Sequence, residues 1–225
     1  MSYPFHSGGI RLPEASRGKR KTQVGSTRHF TGGLVLGDDS GVRVGTESHL
    51  EKNAALVLSQ RWNTADLVEQ AEFEWYDEDG EYHDHYPDLV VTQTDGLEIG
   101  YAVRPWARAT DEYIVKLARI KEQAQEQGFL DDFRLFTEDD VCPVELHNAE
   151  LFHSVRRPDC FADPVAQDIA RAFSGIVTVD ALVEQSQLAG MGFRAVVRLI
   201  RSGHLQMVRY ERIERSSEVF KARVI

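Results

Sequence analysis

The chain has 225 residues, a formal charge of −10, 42% hydrophobic and 28% charged residues, the balance of a soluble globular protein with one core and room for a small second domain. No apolar run approaches the roughly 20 residues that span a bilayer, and the polar start Met1-Ser2-Tyr3-Pro4-Phe5 is unlike a secretory signal, so a cytoplasmic protein without a membrane segment is expected. Cys142 and Cys160 have no paired spacing, which argues against a zinc knuckle and for free thiols.

The acidic total hides an asymmetry. Residues 1–45 carry seven Lys and Arg against three acids, and residues 165–225 carry nine against six. The middle holds the remaining 10 bases and 27 acids. Basic ends around an acidic centre suit DNA at the ends and a metal or protein partner at the centre.

In chain order, residues 1–45 are rich in Gly, Ser and basic residues and read as a partly disordered arm, with short strands only at Gly33–Leu36 and Val42–Val44. Leu50, Ala54, Leu56, Val57 and Leu58 predict a helix over about 47–60, buried along one side. Asp66 to Trp75 and Glu81 to Val91 predict two strands around the Asp77-Glu78-Asp79-Gly80 turn, and Leu97 to Val103 a third. Thr110 caps a helix running to Gln127 with Ile114, Leu117, Ala118, Lys121 and Ala124 as its stripe and Gly128 as its stop. Phe133–Phe136 is a further strand. This α/β order defines a domain over 46–145, followed by a linker at 146–164.

Residues 165–225 form their own unit. Thr178 caps a helix from Val179 to Ser186, Ala189-Gly190-Met191-Gly192 reads as a tight turn, and a second helix runs from Phe193 to Ser202, ended by Gly203. There Phe193, Val196, Val197 and Ile200 face a core, while Arg194, Arg198 and Arg201 fall at i, i+4, i+7 as a basic stripe. Strands over His204–Ile213 and Val219–Val224 complete a winged helix-turn-helix, in which the stripe would meet a major groove; docking of a protein is the alternative use of the same unit.

Three signals in the middle region carry chemistry. They are Glu47-Ser48-His49-Leu50-Glu51 at a helix start, Tyr86-Pro87-Asp88-Leu89-Val90 at a strand, and Tyr101-Ala102-Val103-Arg104-Pro105 at the end of the next. Taken singly, each has an ordinary reading: acids suit a helix N-terminus, and Asp after Pro suits a turn. In this order, from about Ser26 to Val141, they resemble TnsA-type transposon endonucleases, whose N-terminal domain belongs to the PD-(D/E)xK nuclease group. The resemblance covers about half the chain. It implies a restriction-endonuclease-like mixed sheet flanked by helices, with Glu51 and Asp88 as ligands of Mg²⁺ or Mn²⁺ and Arg104 in the place of the family's lysine.

The third signal departs from the pattern. Ala102 supplies no oxygen, so a hard cation keeps two side-chain carboxylates and needs water or phosphate to complete its shell. Arginine keeps the charge but is too basic to accept a proton. Glu98 shares a strand face with Ala102 by even spacing but lies about 13 Å away along the strand, too far to substitute. His83 and His85 share a strand face and suggest zinc, without a third ligand in the pattern.

The resemblance therefore implies a subunit acting on double-stranded DNA at mobile-element ends, beside a transposase and an AAA+ ATPase, with a degenerate phosphodiesterase site. Alternatives are an active Mg²⁺-dependent endonuclease, a non-enzymatic assembly subunit, and a transcription regulator whose acidic domain senses a ligand.

Overall fold

The computed structural model describes residues 11–20, 30–38 and 40–222. It divides into two compact units, Met1–Val141 and Cys142–Ile225. Among the described residues no helix is long and apolar enough to cross a membrane.

The first unit opens with an antiparallel hairpin, β1 (Gly32–Leu36) and β2 (Val42–Thr46). Helix α1 (His49–Ser59) follows, started by the Ser48 side chain, which accepts from the Glu51 N–H. Five consecutive residues, Ala54 to Leu58, are buried. A run that long leaves no solvent face on this stretch, and the reason is that α1 packs both on the hairpin and on strands β3 (Thr64–Glu69), β6 (Leu89–Gln93) and β7 (Glu98–Val103). The expected one-sided helix is thus covered twice.

Of the arm expected to be partly disordered, residues 11–20, 30–38 and 40–45 are described, and they are anchored. Buried Glu69, 2% exposed, accepts from Ser16 Oγ at 2.5 Å and from Gly45 N at 3.1 Å, tying residues 14–20 and the hairpin to β3. Residues 1–10, 21–29 and Asp39, including the basic Lys21 and Arg28, lie outside the described residues.

The main sheet has the order β3-β6-β7-β8, with β8 at Asp132–Phe136; it is antiparallel from β3 through β7 and parallel between β7 and β8. The parallel step requires a crossover. Helix α2 (Asp111–Glu126), capped by Thr110, provides it. Its buried stripe is Leu117, Ile120 and Ala124, at helical spacing; Ile114 is exposed, contrary to expectation. This stripe packs in one cluster with Val90, Ala102, Leu130 and Phe133.

The two long strands expected around the acidic turn are each broken. Gln70 takes φ 49° and Pro87 interrupts the partner, so the outer halves, β4 (Phe73–Tyr76) and β5 (Tyr82–His85), form a separate two-stranded sheet. The turn between them ends at Gly80, whose φ of 77° suits glycine. Phe73 and Trp75 still join the α2 cluster.

The second unit runs α3 (Pro143–Ser154), α4 (Ala162–Ala172), β9 (Ile176–Thr178), α5 (Val179–Ser186), α6 (Ala189–Arg201), β10 (Leu205–Met207) and β11 (Glu218–Lys221). Its antiparallel sheet has the order β10-β11-β9. The segment 146–164, expected as a linker, carries most of α3 and the start of α4. Ala162, Ala166 and Ala170, spaced at i, i+4, i+8, give α4 a small apolar face against α5 and α6. Of the expected turn at 189–192, Ala189 is left-handed with φ 47°, following Gln187 with φ 57°, and Gly190 to Gly192 are already helix. Gly192 sits so close to Ser186 that a Cβ there would collide with its hydroxyl. The expected strand over His204–Ile213 covers only Leu205–Met207, and β11 ends at Lys221, with residues 223–225 outside the described range.

Candidate functional site

Sheet register brings the second and third signals side by side. Leu89 pairs with Tyr101, so Asp88, one step before it, stands level with Ala102, and the Val103 N–H donates to Asp88 Oδ2 at 2.7 Å. The other oxygen, Oδ1, accepts from Gln70 Nε2 at 3.1 Å. The break at Gln70 allows this: its backbone N–H donates to the Asp88 carbonyl at 3.2 Å.

The first signal arrives by helix capping. Glu51 is the third helical residue of α1 and closes a reciprocal box: its N–H donates to Ser48 Oγ, its Oε1 accepts from that hydroxyl at 2.9 Å, and its Oε2 accepts from the Glu47 N–H at 2.7 Å. The box fixes the carboxylate near Asp88. Burial pushes the Asp88 carboxyl up to about 7 against the pull of the Val103 hydrogen bond, and like-charge repulsion from Glu51 adds to the rise. Glu51 is raised as well, mainly by burial, with Glu47 repelling it and Arg20 drawing it back.

The third position is filled with apolar groups. Ala102 is 2% exposed in the cluster with Leu117, Ile120 and Phe133, against which Tyr113 also packs. The Arg104 guanidinium lies 4.0 Å from the Tyr113 ring centroid, and its backbone N–H continues the ladder to the Phe136 carbonyl. Tyr113 feels the charges of both Arg104 and Asp88, so it stands at the junction of the acid pair and the motif cation. Glu98 is exposed at the opposite end of β7, where its N–H binds Asp131, and takes no part.

Two further residues belong to the site. Arg20 donates from Nε to Gln70 Oε1 at 2.9 Å and from Nη2 to Glu47 Oε2 at 3.0 Å. Gln70 thus relays between Arg20 and Asp88. Neither was marked by sequence, because Arg20 sits in a basic, Gly-containing stretch and Gln70 in what read as an unbroken strand.

The donors present suit a hard divalent cation in part. Glu51 and Asp88 offer carboxylate oxygens that each retain a lone pair beyond the hydrogen bond they accept, whereas the third donor is missing. Where three ligand atoms do fall within 4.8 Å of one another, among the described residues, they belong to Asp77 and Glu81 in the β4–β5 turn and His83 in β5. That grouping is an exposed turn: Asp77 Oδ1 already accepts from the Asp79 and Glu81 N–H groups, and Oδ2 pairs with His83 at 2.7 Å. His85, the other histidine of the expected zinc pair, stays out of it; burial and Lys116 lower its pKa to about 4, and its Nε2 is buried without a partner among the described atoms.

In the second unit the arginine stripe is divided. Arg194 is exposed on α6. Arg198 is not a surface base: its Nε and Nη2 donate to Asp163 Oδ1 at 2.8 and 2.5 Å, its Nη1 donates to the Val155 carbonyl at 3.2 Å, and the two side chains are only 13% and 20% exposed. Arg201, half-buried in the last turn, is also engaged. The neighbouring face of α6, with Val197, Phe193 and Ile200, is covered by Leu151, Phe152 and Val155 of the α3 region and by Ile213. Asn148 on α3 holds that cover in place, donating to the Glu211 carbonyl at 3.0 Å and accepting from the Ile213 N–H at 2.9 Å.

No family model matches the chain. No curated protein matches it either.

Proposed function

We propose that the protein is a TnsA-like subunit acting on double-stranded DNA at the ends of a mobile element, with a metal-dependent phosphodiesterase site that has become degenerate. The observation that carries this reading is the meeting of Glu51 and Asp88, 37 residues apart, beside a third strand position held by Ala102. The element order supports a PD-(D/E)xK-type fold: helix, three antiparallel strands with a hairpin inserted, a crossover helix and a parallel strand. In the second unit, the order helix, strand, two helices, two strands, with the first strand against the last, supports a winged helix.

Glu51 and Asp88 would hold Mg²⁺ or Mn²⁺, whose chemistry is to draw charge from a phosphodiester and acidify water. The chain's own residues do less than a working nuclease needs. Arg104, set against Tyr113, can grip a phosphate oxygen but cannot take a proton at neutral pH. Asp88, titrating near 7, is the group able to accept one, and only while it is not engaged as a ligand. The result is a scaffold that binds DNA and metal weakly and cleaves poorly.

A second reading, an assembly subunit that docks a transposase or an AAA+ ATPase, draws on the cover over α6. Fluorescence anisotropy with duplex DNA separates the two readings. Binding whose affinity falls with salt supports the first; none at 50 mM salt, with a folded protein, removes it.

A further inference from the structure

Residues 14–20 form a strap along the free edge of β3. Glu14 is tied to the hairpin through Gly41 and Arg43. Ser16 donates to Glu69, Arg17 forks onto Asp66 at 2.6 Å to each oxygen and reaches the Leu67 carbonyl at 2.9 Å, and the Lys19 N–H donates to the Gln70 carbonyl at 3.0 Å. Four residues of the strap, Glu14, Ser16, Arg17 and Lys19, are thus attached, three of them to β3 and Gln70, covering an edge strand. They deliver one cation, Arg20, to the acid cluster.

Arg20 touches Glu47 directly at 3.0 Å and is linked to Asp88 through a single amide, Gln70, which accepts from the guanidinium and donates to the carboxylate. The charge it brings acts on both Glu51 and Asp88. By contrast Arg104, the cation of the motif, is turned onto Tyr113.

We propose that Arg20 is a built-in competitor of the divalent cation, so that the cluster of Glu47, Glu51 and Asp88 is neutralised either by the strap's guanidinium or by a metal ion, and release of the strap sets the site's metal affinity. This rests on the reading of Glu51 and Asp88 as metal ligands. A guanidinium held on Glu47 and one amide away from Asp88, whose charge acts on both ligand carboxylates, repels a doubly charged ion in a half-buried setting, where screening by solvent is incomplete. Removing it takes away the positive charge that acts on both Glu51 and Asp88 and frees their charge for a metal ion.

The test is titration of the full-length protein with Mn²⁺, following the free-ion signal by electron paramagnetic resonance at pH 7.5, for wild type, Arg20→Ala, Arg20→Lys and Arg17→Ala. Arg20→Ala is expected to bind Mn²⁺ about tenfold tighter than wild type. Arg20→Lys, which keeps the charge, should stay near wild type. Arg17→Ala loosens the strap without touching the acids and should shift affinity in the same direction by less, which keeps the test usable if Arg20→Ala folds poorly by circular dichroism. The gain should vanish when Glu51→Gln is added to Arg20→Ala. Equal affinity in wild type and Arg20→Ala overturns the competitor and leaves the metal site standing. Weaker binding in Arg20→Ala also overturns it, making Arg20 a support of the site. No Mn²⁺ binding by any folded variant overturns both the competitor and the metal reading beneath it.

Discussion

The acid pair of the first unit and the arginine stripe of the second were both written as spaced patterns, and the fold treats them oppositely. Glu51 and Asp88 come from elements that the chain order forces together, a helix N-terminus and the start of β6 beside β7. Arg194, Arg198 and Arg201 share one helix, and helical spacing says only that they are neighbours, not what packs on them. Arg198 is taken by Asp163, which lies 35 residues earlier. A pattern set by topology across several elements therefore survives folding better than a pattern set by periodicity within one.

The largest effect tests the second half of that comparison. If Arg198 is a structural partner rather than a DNA contact, Arg198→Ala strands a mostly buried Asp163 carboxylate and lowers the stability of the Cys142–Ile225 unit by about 3 kcal/mol in urea unfolding. The apolar double variant Arg198→Met with Asp163→Leu should recover most of it. A stable Arg198→Ala that loses only DNA binding would restore the stripe.

Next comes the empty third position. Ala102→Asp introduces a carboxylate into a 2% exposed site beside Asp88 and is expected to cost about 2 kcal/mol in EDTA. Mn²⁺ should return part of that loss, as a raised melting temperature, because the new oxygen completes a three-carboxylate set. A loss that metal does not touch means that position 102 does not face the cation.

A smaller effect appears in the pH profile. Asp88 titrates near 7 when folded, against roughly 4 in an unfolded chain, so the native state binds its proton more tightly. The stability this supplies is full below about pH 4 and is lost as pH rises through 7. Glu51, also raised, acts in the same direction. Asp66, lowered chiefly by its hydrogen bond to Arg17, has the opposite sign, with its loss confined to acid below its unfolded value near pH 4. Between pH 5 and 8 wild type should therefore lose melting temperature relative to Asp88→Asn, and parallel profiles would contradict the assigned burial of Asp88.

The smallest is kinetic-free and local. Arg194→Ala should flatten the slope of log K against log salt for duplex DNA by about one unit without changing stability. An unchanged slope places DNA contacts elsewhere than α6.

The sequence carried the order of the acid motif, the Thr110 and Thr178 caps and the Asp-Gly hairpin, because these are local or sequential signals. It missed the strand breaks at Gln70 and Pro87, since both runs keep strand-like composition while a left-handed backbone at Gln70 turns the chain toward Asp88. Arg20 was hidden because nothing local distinguishes a basic residue in a Gly-containing arm from one strapped to an edge. The helix α3 fell where a linker was expected, because its apolar residues Val144, Leu146, Ala149, Leu151 and Phe152 are spread around the helix rather than gathered in one stripe.

The central claim is that Glu51 and Asp88 make a two-carboxylate site weakened by Ala102. Nicking of supercoiled DNA in 5 to 10 mM Mn²⁺, taken as roughly the upper end of metal needed for a weak oxygen site, measures it most directly, run for wild type, Glu51→Gln and Asp88→Asn. The account predicts at most a trace of nicking in wild type, lost in both variants. Robust cleavage by wild type, or a trace that survives Asp88→Asn, would contradict it.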